Sequence, residues 1–293
     1  MPCYHPMQGW YSQYRGPSGK RAITFKFSEG FKDRPVPIPC GTCVGCKLEK
    51  ARQWAVRCMH EASLYESNCF VTLTYDQEHL DVGGSLVPEH WVLFMKRLRF
   101  KYGPGIRFFQ CGEYGSHLAR PHHHALLFNH DFPDKVVLRN AGERNQLWTS
   151  QELAGLWPFG LHSIGSVTFQ SAGYIARYTL KKVVDKSAAE WYKGRVPEYL
   201  TMSRMPGIGR GWISKYMRDV YPSDELVVNG KVSKPPRYYD NVVEQYLPHM
   251  LKKVKGKRRA LGKSSPDNTG PRLLVREVVK AASISTMNRE VEL

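Results

Sequence analysis

An α+β fold, with a mostly antiparallel sheet of about five strands and flanking helices, is what this sequence predicts. Segments of strand-like and helical spacing follow one another as strand, helix, strand, strand, helix, strand, helix between residues 69 and 184. The 293 residues are 42% apolar and 12% aromatic, ample for one good-sized core with extensions. No run of 18 apolar residues occurs, so this content is expected to fill a globular interior and not a membrane span.

Residues 1–39, rich in Gly, Pro, Tyr and basic residues, read as an N-terminal arm with one strand-like alternation over 22–27. Over 47–64, Leu48, Ala51, Trp54, Ala55, Cys58, Met59 and Ala62 recur at helical spacing, with Lys50, Arg52 and Arg57 on other faces. A strand over 69–75 and a loop at Gly83-Gly84 lead to a helix over 88–102, which Pro88 opens in a favourable first-turn position. Two strands follow, over 106–113 and within 120–128. A short helix over 149–157 is capped by Thr149 or Ser150, with Glu152 in its first turn. A strand over 160–169 and a helix over 171–184 complete the pattern. The expected division is an arm with a Cys cluster and amphipathic helix (1–64), a core (65–185), an aromatic and basic extension (186–250) and a basic, flexible tail (251–293). Most aromatics of residues 190–250 are expected to pack.

The 43 Lys and Arg against 26 Asp and Glu leave a formal charge of +17. Such an excess favours a polyanion through phosphate contacts and counterion release, and nucleic acid is the first expectation. Neither a basic amphipathic anchor nor a signal-peptide apolar region is seen, so a soluble protein of a reducing compartment is expected. Seven cysteines, three of them in Cys40-Gly41-Thr42-Cys43-Val44-Gly45-Cys46, argue for metal or structural use over a disulfide framework. The Cys-x-x-Cys-x-x-Cys spacing suits structural Zn²⁺ and lacks the continuation of an iron–sulfur run. Cys58 would lie about 18 Å from Cys46 along an unbroken helix, which leaves Cys3 or His5 as the fourth ligand.

The stretch Arg120-Pro121-His122-His123-His124-Ala125-Leu126-Leu127-Phe128 sets His122 and His124 two apart at the head of an apolar strand. On a strand, i and i+2 share a face. With Glu113 on the neighbouring strand, they suit a His-His-carboxylate metal site with open positions for a substrate oxygen. An oxidative iron site of the cupin kind would place a Glu shortly after His-x-His, and residues 125–129 hold no carboxylate. The helix from Ser171 carries Tyr174 and Tyr178 at i and i+4, one turn apart on one face. A phenol, with a pKa near about 10, needs a cation or metal to become a nucleophile. Arg177, Lys181 and Lys182 lie nearby and are assigned to phosphate contact. Taken singly, the His pair reads equally well as structural, and the Tyr pair reads more readily as a packing stripe.

Together these motifs resemble the HUH superfamily of rolling-circle replication initiators and relaxases. The segments Phe70-Val71-Thr72-Leu73-Thr74-Tyr75-Asp76, Cys111-Gly112-Glu113-Tyr114-Gly115, Arg120 to Phe128 and Tyr174-Ile175-Ala176-Arg177-Tyr178 are similar to the replication initiation proteins of small single-stranded DNA phages, the gokushovirus branch of the microviruses. Cys40 to Cys46, Met205-Pro206-Gly207-Ile208-Gly209 and Lys234-Pro235-Pro236-Arg237-Tyr238-Tyr239-Asp240 extend the resemblance. It implies a ferredoxin/RRM-like HUH core over 65–185, in which His122, His124 and Glu113 hold Mg²⁺ or Mn²⁺. It also implies a catalytic set of Tyr174, Tyr178, Lys181 and Lys182, with Arg177 and Arg120 on DNA.

The implied reaction nicks and religates the viral single-stranded origin through a 5′-phosphotyrosine link. Either tyrosine would cut first and the other would serve the closing transfer. His123, where the superfamily has a bulky apolar residue, is expected to face away from the metal. No Gly-x-x-x-x-Gly-Lys-[Ser/Thr] loop is present, so host helicase and polymerase are implied partners of an enzyme acting on origin DNA in the host bacterial cytoplasm, with no membrane. The rival readings are a non-catalytic, zinc-containing single-strand binding protein and a metal-dependent nuclease that uses water.

Overall fold

Strands and helices alternate through the chain as the spacing predicts, and a computed structural model describes them for residues 2–17, 19–115, 118–139, 146–178 and 188–285. In chain order they are β1 (Met7–Arg15), β2 (Arg21–Thr24), β3 (Gly30–Ile38), α1 (Val44–Ala62), β4 (Asn68–Thr74), α2 (Pro88–Tyr102), β5 (Arg107–Tyr114), β6 (Pro121–Phe128), β7 (Val136–Arg139), β8 (Leu147–Thr149) and α3 (Gln151–Leu156). Then come β9 (His162–Gly165), α4 (Phe169–Tyr178), α5 (Ala188–Tyr192), β10 (Tyr199–Met202), α6 (Arg210–Ser223), β11 (Leu226–Val228), β12 (Lys231–Ser233), α7 (Arg237–Tyr246), α8 (Pro248–Ser264) and α9 (Gly270–Ser285). The chain divides into two units, residues 1–50 with 255–293, and residues 51–254.

Residues 51–254 carry a seven-stranded sheet in the order β10-β5-β6-β4-β9-β8-β7, every described pair antiparallel. Alternation along β4, β5 and β6 sends successive side chains to opposite faces. On one face Phe109, Cys111, Leu126 and Phe128 pack against Ala55 and Cys58 of α1 and Ala172, Ile175 and Ala176 of α4. On the other, Val71, Leu73, Ala125 and Leu127 pack against Trp91, Phe94 and Leu98 of α2 and Leu153 and Leu156 of α3. Helices thus cover both faces, and the central strand β6 is buried from His123 to Phe128. The helix ends follow local rules: Pro88 opens α2 where its missing N–H costs nothing, and Ser150 accepts from the Leu153 amide to cap α3. Gly160 sits at φ +144 with its α-carbon face against β4; a Cβ there would lie 2.3 Å from the Asp76 nitrogen and 2.6 Å from the Thr74 oxygen.

The sheet is wider than the expected five strands. The additional β7, β8 and β10 have three or four residues each and lie toward the sheet's two edges, too short to display an alternation. Because β10 pairs with β5 from Tyr199↔Gly112 to Met202↔Phe109, the sheet continues past the expected boundary at 185. The strand expected over 160–169 is the four-residue β9, and the end expected for α4 at 184 lies outside the described residues.

The aromatics of residues 190–250 largely pack: Tyr221 and Tyr239 are buried with Val56, Ile213 and Val243, and Trp212 stacks on His60 at 3.5 Å between ring centroids. The basic tail expected to be flexible is helical in α8 and α9, since Lys, Arg, Leu and Ala favour helix and Leu251 and Val254 bury one edge of α8. The unit of residues 1–50 and 255–293 has its own antiparallel sheet, β2-β1-β3. No described helix is long and apolar enough to cross a membrane.

Leu126 and Leu127 are adjacent on β6, fully buried and directed into opposite packing layers. Each Leu→Ala change is expected to cost about 2–5 kcal/mol, read as a lower urea midpoint; a loss at only one position would contradict two independent layers.

Candidate active site

Strand register brings the candidate ligands together. On the β5–β6 ladder Glu113 lies opposite His122 and Cys111 opposite His124, while on β4 Thr74 pairs with His122 and Thr72 with His124. Cross-strand partners share a face, so Glu113, His122, His124 and Thr72 converge on the face that α1 and α4 cover. His122 Nε2 and His124 Nε2 each lie 2.9 Å from the same Glu113 Oε1. The three ligand atoms lie within 4.8 Å of one another.

The outer nitrogens of both imidazoles are held. His122 Nδ1 lies 3.0 Å from the Arg120 carbonyl oxygen, which can only accept, so Nδ1 carries the proton and Nε2 presents a lone pair. His124 Nδ1 lies 2.9 Å from the Thr72 hydroxyl. Such partners fix tautomer and ring orientation in metal sites. Glu113 is 1% exposed, and its Oε2 is buried without a hydrogen-bond partner. An orphaned carboxylate oxygen beside a second oxygen that faces two imidazole nitrogens is costly unless a cation is shared among them. The donor set therefore fits a divalent metal ion.

His123 points into the opposite layer. Its Nε2 is 3.1 Å from the Tyr75 hydroxyl and its Nδ1 is 3.0 Å from Gln110 Nε2, with the Tyr199 hydroxyl at 3.4 Å. Burial foremost, then the neighbouring imidazoles, pushes it down to about 3, and it is neutral in the fold.

Tyr174 reaches the site from α4. Thr168 and Ser171 cap that helix reciprocally, each side chain accepting the other's backbone N–H at 3.0 and 2.8 Å. Ala172, Ile175 and Ala176 bury its inner stripe, and the Tyr174 ring meets the His124 ring edge-on at 5.1 Å between centroids, 85° between planes. Phe70 stacks on the His124 ring at 5.6 Å. Tyr178 is the last residue of α4, one turn beyond; its side chain, and Lys181 and Lys182, lie outside the described residues.

Arg177 is exposed in the last turn of α4. The Arg120 guanidinium donates to the Tyr75 carbonyl at 2.7 Å and to Gln77 Oε1 at 3.2 Å. Arg120 thus braces the start of β6 against the end of β4 and, through its own carbonyl, orients His122. Thr72 and this carbonyl are the parts of the site that sequence reasoning missed. Thr72 on the strand expected over 69–75 was the available signal, but its use depends on register.

The structure also gathers Cys3, Cys40, Cys43 and Cys46, whose sulfurs lie within 4.8 Å of one another. His5, the other candidate for the fourth position, is instead paired with Glu277 at 2.6 Å. Cys58 is buried in the core beneath the sheet.

The sequence pattern of the family described as replication-associated protein ORF2/G2P matches residues 68–183, the span that holds Glu113, the histidines and both tyrosines. Over 224 residues the chain is 37% identical to the replication-associated protein ORF2 of Spiroplasma virus 4, covering 71% of this chain and 68% of that protein. It is 35% identical over 250 residues to the replication-associated protein VP4 of Bdellovibrio phage phiMH2K, covering 78% and 76%. With the replication-associated protein ORF4 of Chlamydia phage 1 it shares 29% identity over 223 residues, covering 72% and 54%. No solved structure shows a significant match.

Burial also pushes His60 and His130 down to about 4. Unfolded, these histidines and His123 titrate near about 6.5, so as pH falls the unfolded chain takes up protons first. Stability is therefore lost from about pH 6.5 down toward the folded values. Urea unfolding in EDTA is expected to show a midpoint that falls between about pH 7.5 and 5, above the range where most carboxylates titrate; a flat midpoint would contradict neutral buried histidines.

Proposed function

Because the chain belongs to the family of phage replication-associated proteins, we propose that it initiates rolling-circle replication as an HUH nuclease, nicking and religating the viral single-stranded origin. The observation that carries this reading is the Tyr174 ring set edge-on against His124, beside the Glu113, His122 and His124 cluster. A tyrosine nucleophile requires a phenol at that place, whereas a hydrolase that relies on water does not depend on one.

His122, His124 and Glu113 would hold the ion, with Mn²⁺ comfortable among mixed nitrogen and oxygen ligands and Mg²⁺ relying more on water and phosphate. What Mg²⁺ or Mn²⁺ supplies when bound is positive charge at the scissile phosphate oxygens during in-line displacement. Thr72 and the Arg120 carbonyl hold the outer nitrogens of the two rings, so that both Nε2 atoms face Glu113. The phenol oxygen of Tyr174 or Tyr178 forms a bond to phosphorus while the bond from phosphorus to the 3′ oxygen breaks. The phenol proton leaves to solvent and the departing 3′ oxygen takes one up.

The tyrosyl ester retains the energy of the broken linkage, so the reverse attack by a 3′-OH religates without ATP. Two phenols one turn apart let one hold a 5′ end while the other cuts the regenerated origin. Arg177 in the last turn of this helix, with Lys181 and Lys182 further along the sequence, would contact DNA phosphates, in keeping with the net charge of +17. The 3′-OH would prime a host polymerase, and a host helicase would open the duplex, in the bacterial cytoplasm.

Purified protein incubated with an end-labelled origin strand and Mn²⁺ is expected to give a protein-linked DNA band on a denaturing gel. The band should vanish in the Tyr174→Phe, Tyr178→Phe double variant, and the single variants should reveal which phenol cuts first. Cleavage without an adduct would replace this mechanism with hydrolysis, and binding of a verified origin strand without cleavage would make the protein a non-catalytic binder. Thr72→Val, which removes the hydroxyl beside the outer nitrogen of His124, is expected to slow cleavage roughly ten- to hundredfold and to raise the Mn²⁺ concentration required; an unchanged Mn²⁺ requirement would deny Thr72 its positioning role.

A further inference from the structure

The unit of residues 1–50 and 255–293 has almost no apolar interior. Among its described residues only Tyr4, Cys43 and Leu273 are buried, apart from three glycines. A body of under 100 residues ordinarily needs a larger core, a disulfide or a metal to hold together. Where those three residues meet, Cys3, Cys40, Val44 and Cys46 pack around them.

The four thiols are free, and the Cys43 and Cys3 sulfurs are 4.0 Å apart, about twice a disulfide bond length. One tetrahedral ion with metal–sulfur bonds of about 2.3 Å keeps its sulfurs about 3.8 Å apart. The sulfurs here lie within 4.8 Å of one another, close to that separation, whereas an iron–sulfur cube spreads its cysteines wider.

The surroundings are built for thiolate charge. The Cys40 amide donates to Cys3 Sγ at 3.2 Å, the Cys43 amide to Cys40 Sγ at 3.3 Å, and the Tyr4 amide to Cys43 Sγ at 3.4 Å. The Thr42 hydroxyl adds a contact to Cys40 Sγ at 3.6 Å. Gly45 lets the segment before β1 close over the first turn of α1: a Cβ there would lie 2.2 Å from the Pro2 carbonyl oxygen and 2.9 Å from Tyr4 Cε2. Beside the cluster Tyr4 packs on Leu273, and His5 pairs with Glu277, both partners on α9.

We propose that Cys3, Cys40, Cys43 and Cys46 bind one Zn²⁺ as four thiolates, and that this ion, in place of an apolar core, joins residues 2–5, the first turn of α1 and α9. On binding, the thiol protons pass to solvent. The site takes no part in DNA cleavage, and its sulfur ligands separate it chemically from the nitrogen and oxygen donors on the large sheet.

The full chain, purified under reducing conditions without chelator, is expected to carry one zinc ion that a mercurial thiol reagent releases to a colorimetric chelator. Loading with Co²⁺ should give thiolate-to-cobalt charge-transfer absorption, lost in Cys43→Ser and retained in His124→Ala. Gly45→Ala keeps every ligand and is expected to yield zinc to the chelator roughly ten- to hundredfold more readily. In the unaltered chain, zinc removal should raise hydrogen exchange over residues 2–46 and 270–285 and leave 107–128 protected. Absence of thiolate-bound metal in the reduced protein, disulfides among the four cysteines, or unchanged exchange over 2–46 after zinc removal would overturn the proposal.

Discussion

The pairing register of β4, β6 and β5 is the constraint on which the candidate active site depends. A strand pair slipped by one residue turns every side chain to the other face. Here such a slip on β6 would exchange His122 and His124 for His123 and send Leu126 and Phe128 out of the layer beneath α1 and α4. The same apolar residues that make the core therefore fix where the imidazoles point. Residues His123 to Phe128 of β6 are all buried, and that burial makes the register strongly specified.

His123 shows how the opposite layer contributes. A third imidazole in the motif is compatible with a metal site only because Tyr75, Gln110 and Tyr199 give it hydrogen-bond partners away from the ligands. Buried and neutral, it belongs to a polar network within an otherwise apolar layer. Arg120 joins that layer to the site, gripping the Tyr75 carbonyl with its guanidinium while its own carbonyl receives His122 Nδ1.

Much of this was legible in the sequence, for identifiable reasons. The His-x-His spacing encodes a shared face directly, because the strand repeat is two, and the helical spacing of Ala172, Ile175 and Ala176 marks the inner stripe of the helix that carries Tyr174. The main strands and α2 announced themselves by long apolar alternation and by Pro88. What was not legible depends on pairing across the chain. Thr72 becomes a partner of His124 only through the β4–β6 register, and the choice of Cys3 over His5 only when the segment before β1 folds back over Gly45. Strands β7, β8 and β10 are three or four residues long, and their assignment comes from neighbours in space.

In the proposed reaction a phenol of α4, beside the His122, His124 and Glu113 cluster, becomes covalently joined to the 5′ end of the cut strand. Trypsin cleavage after Arg144, Arg177 and Lys181 would put Tyr174 and Tyr178 on different peptides, so mass spectrometry of protein reacted with an origin strand and Mn²⁺ tests it directly. A nucleotide mass is expected on the peptide ending at Arg177 or on the peptide that begins at Tyr178. A strand that is cut while both peptides remain unmodified would contradict it.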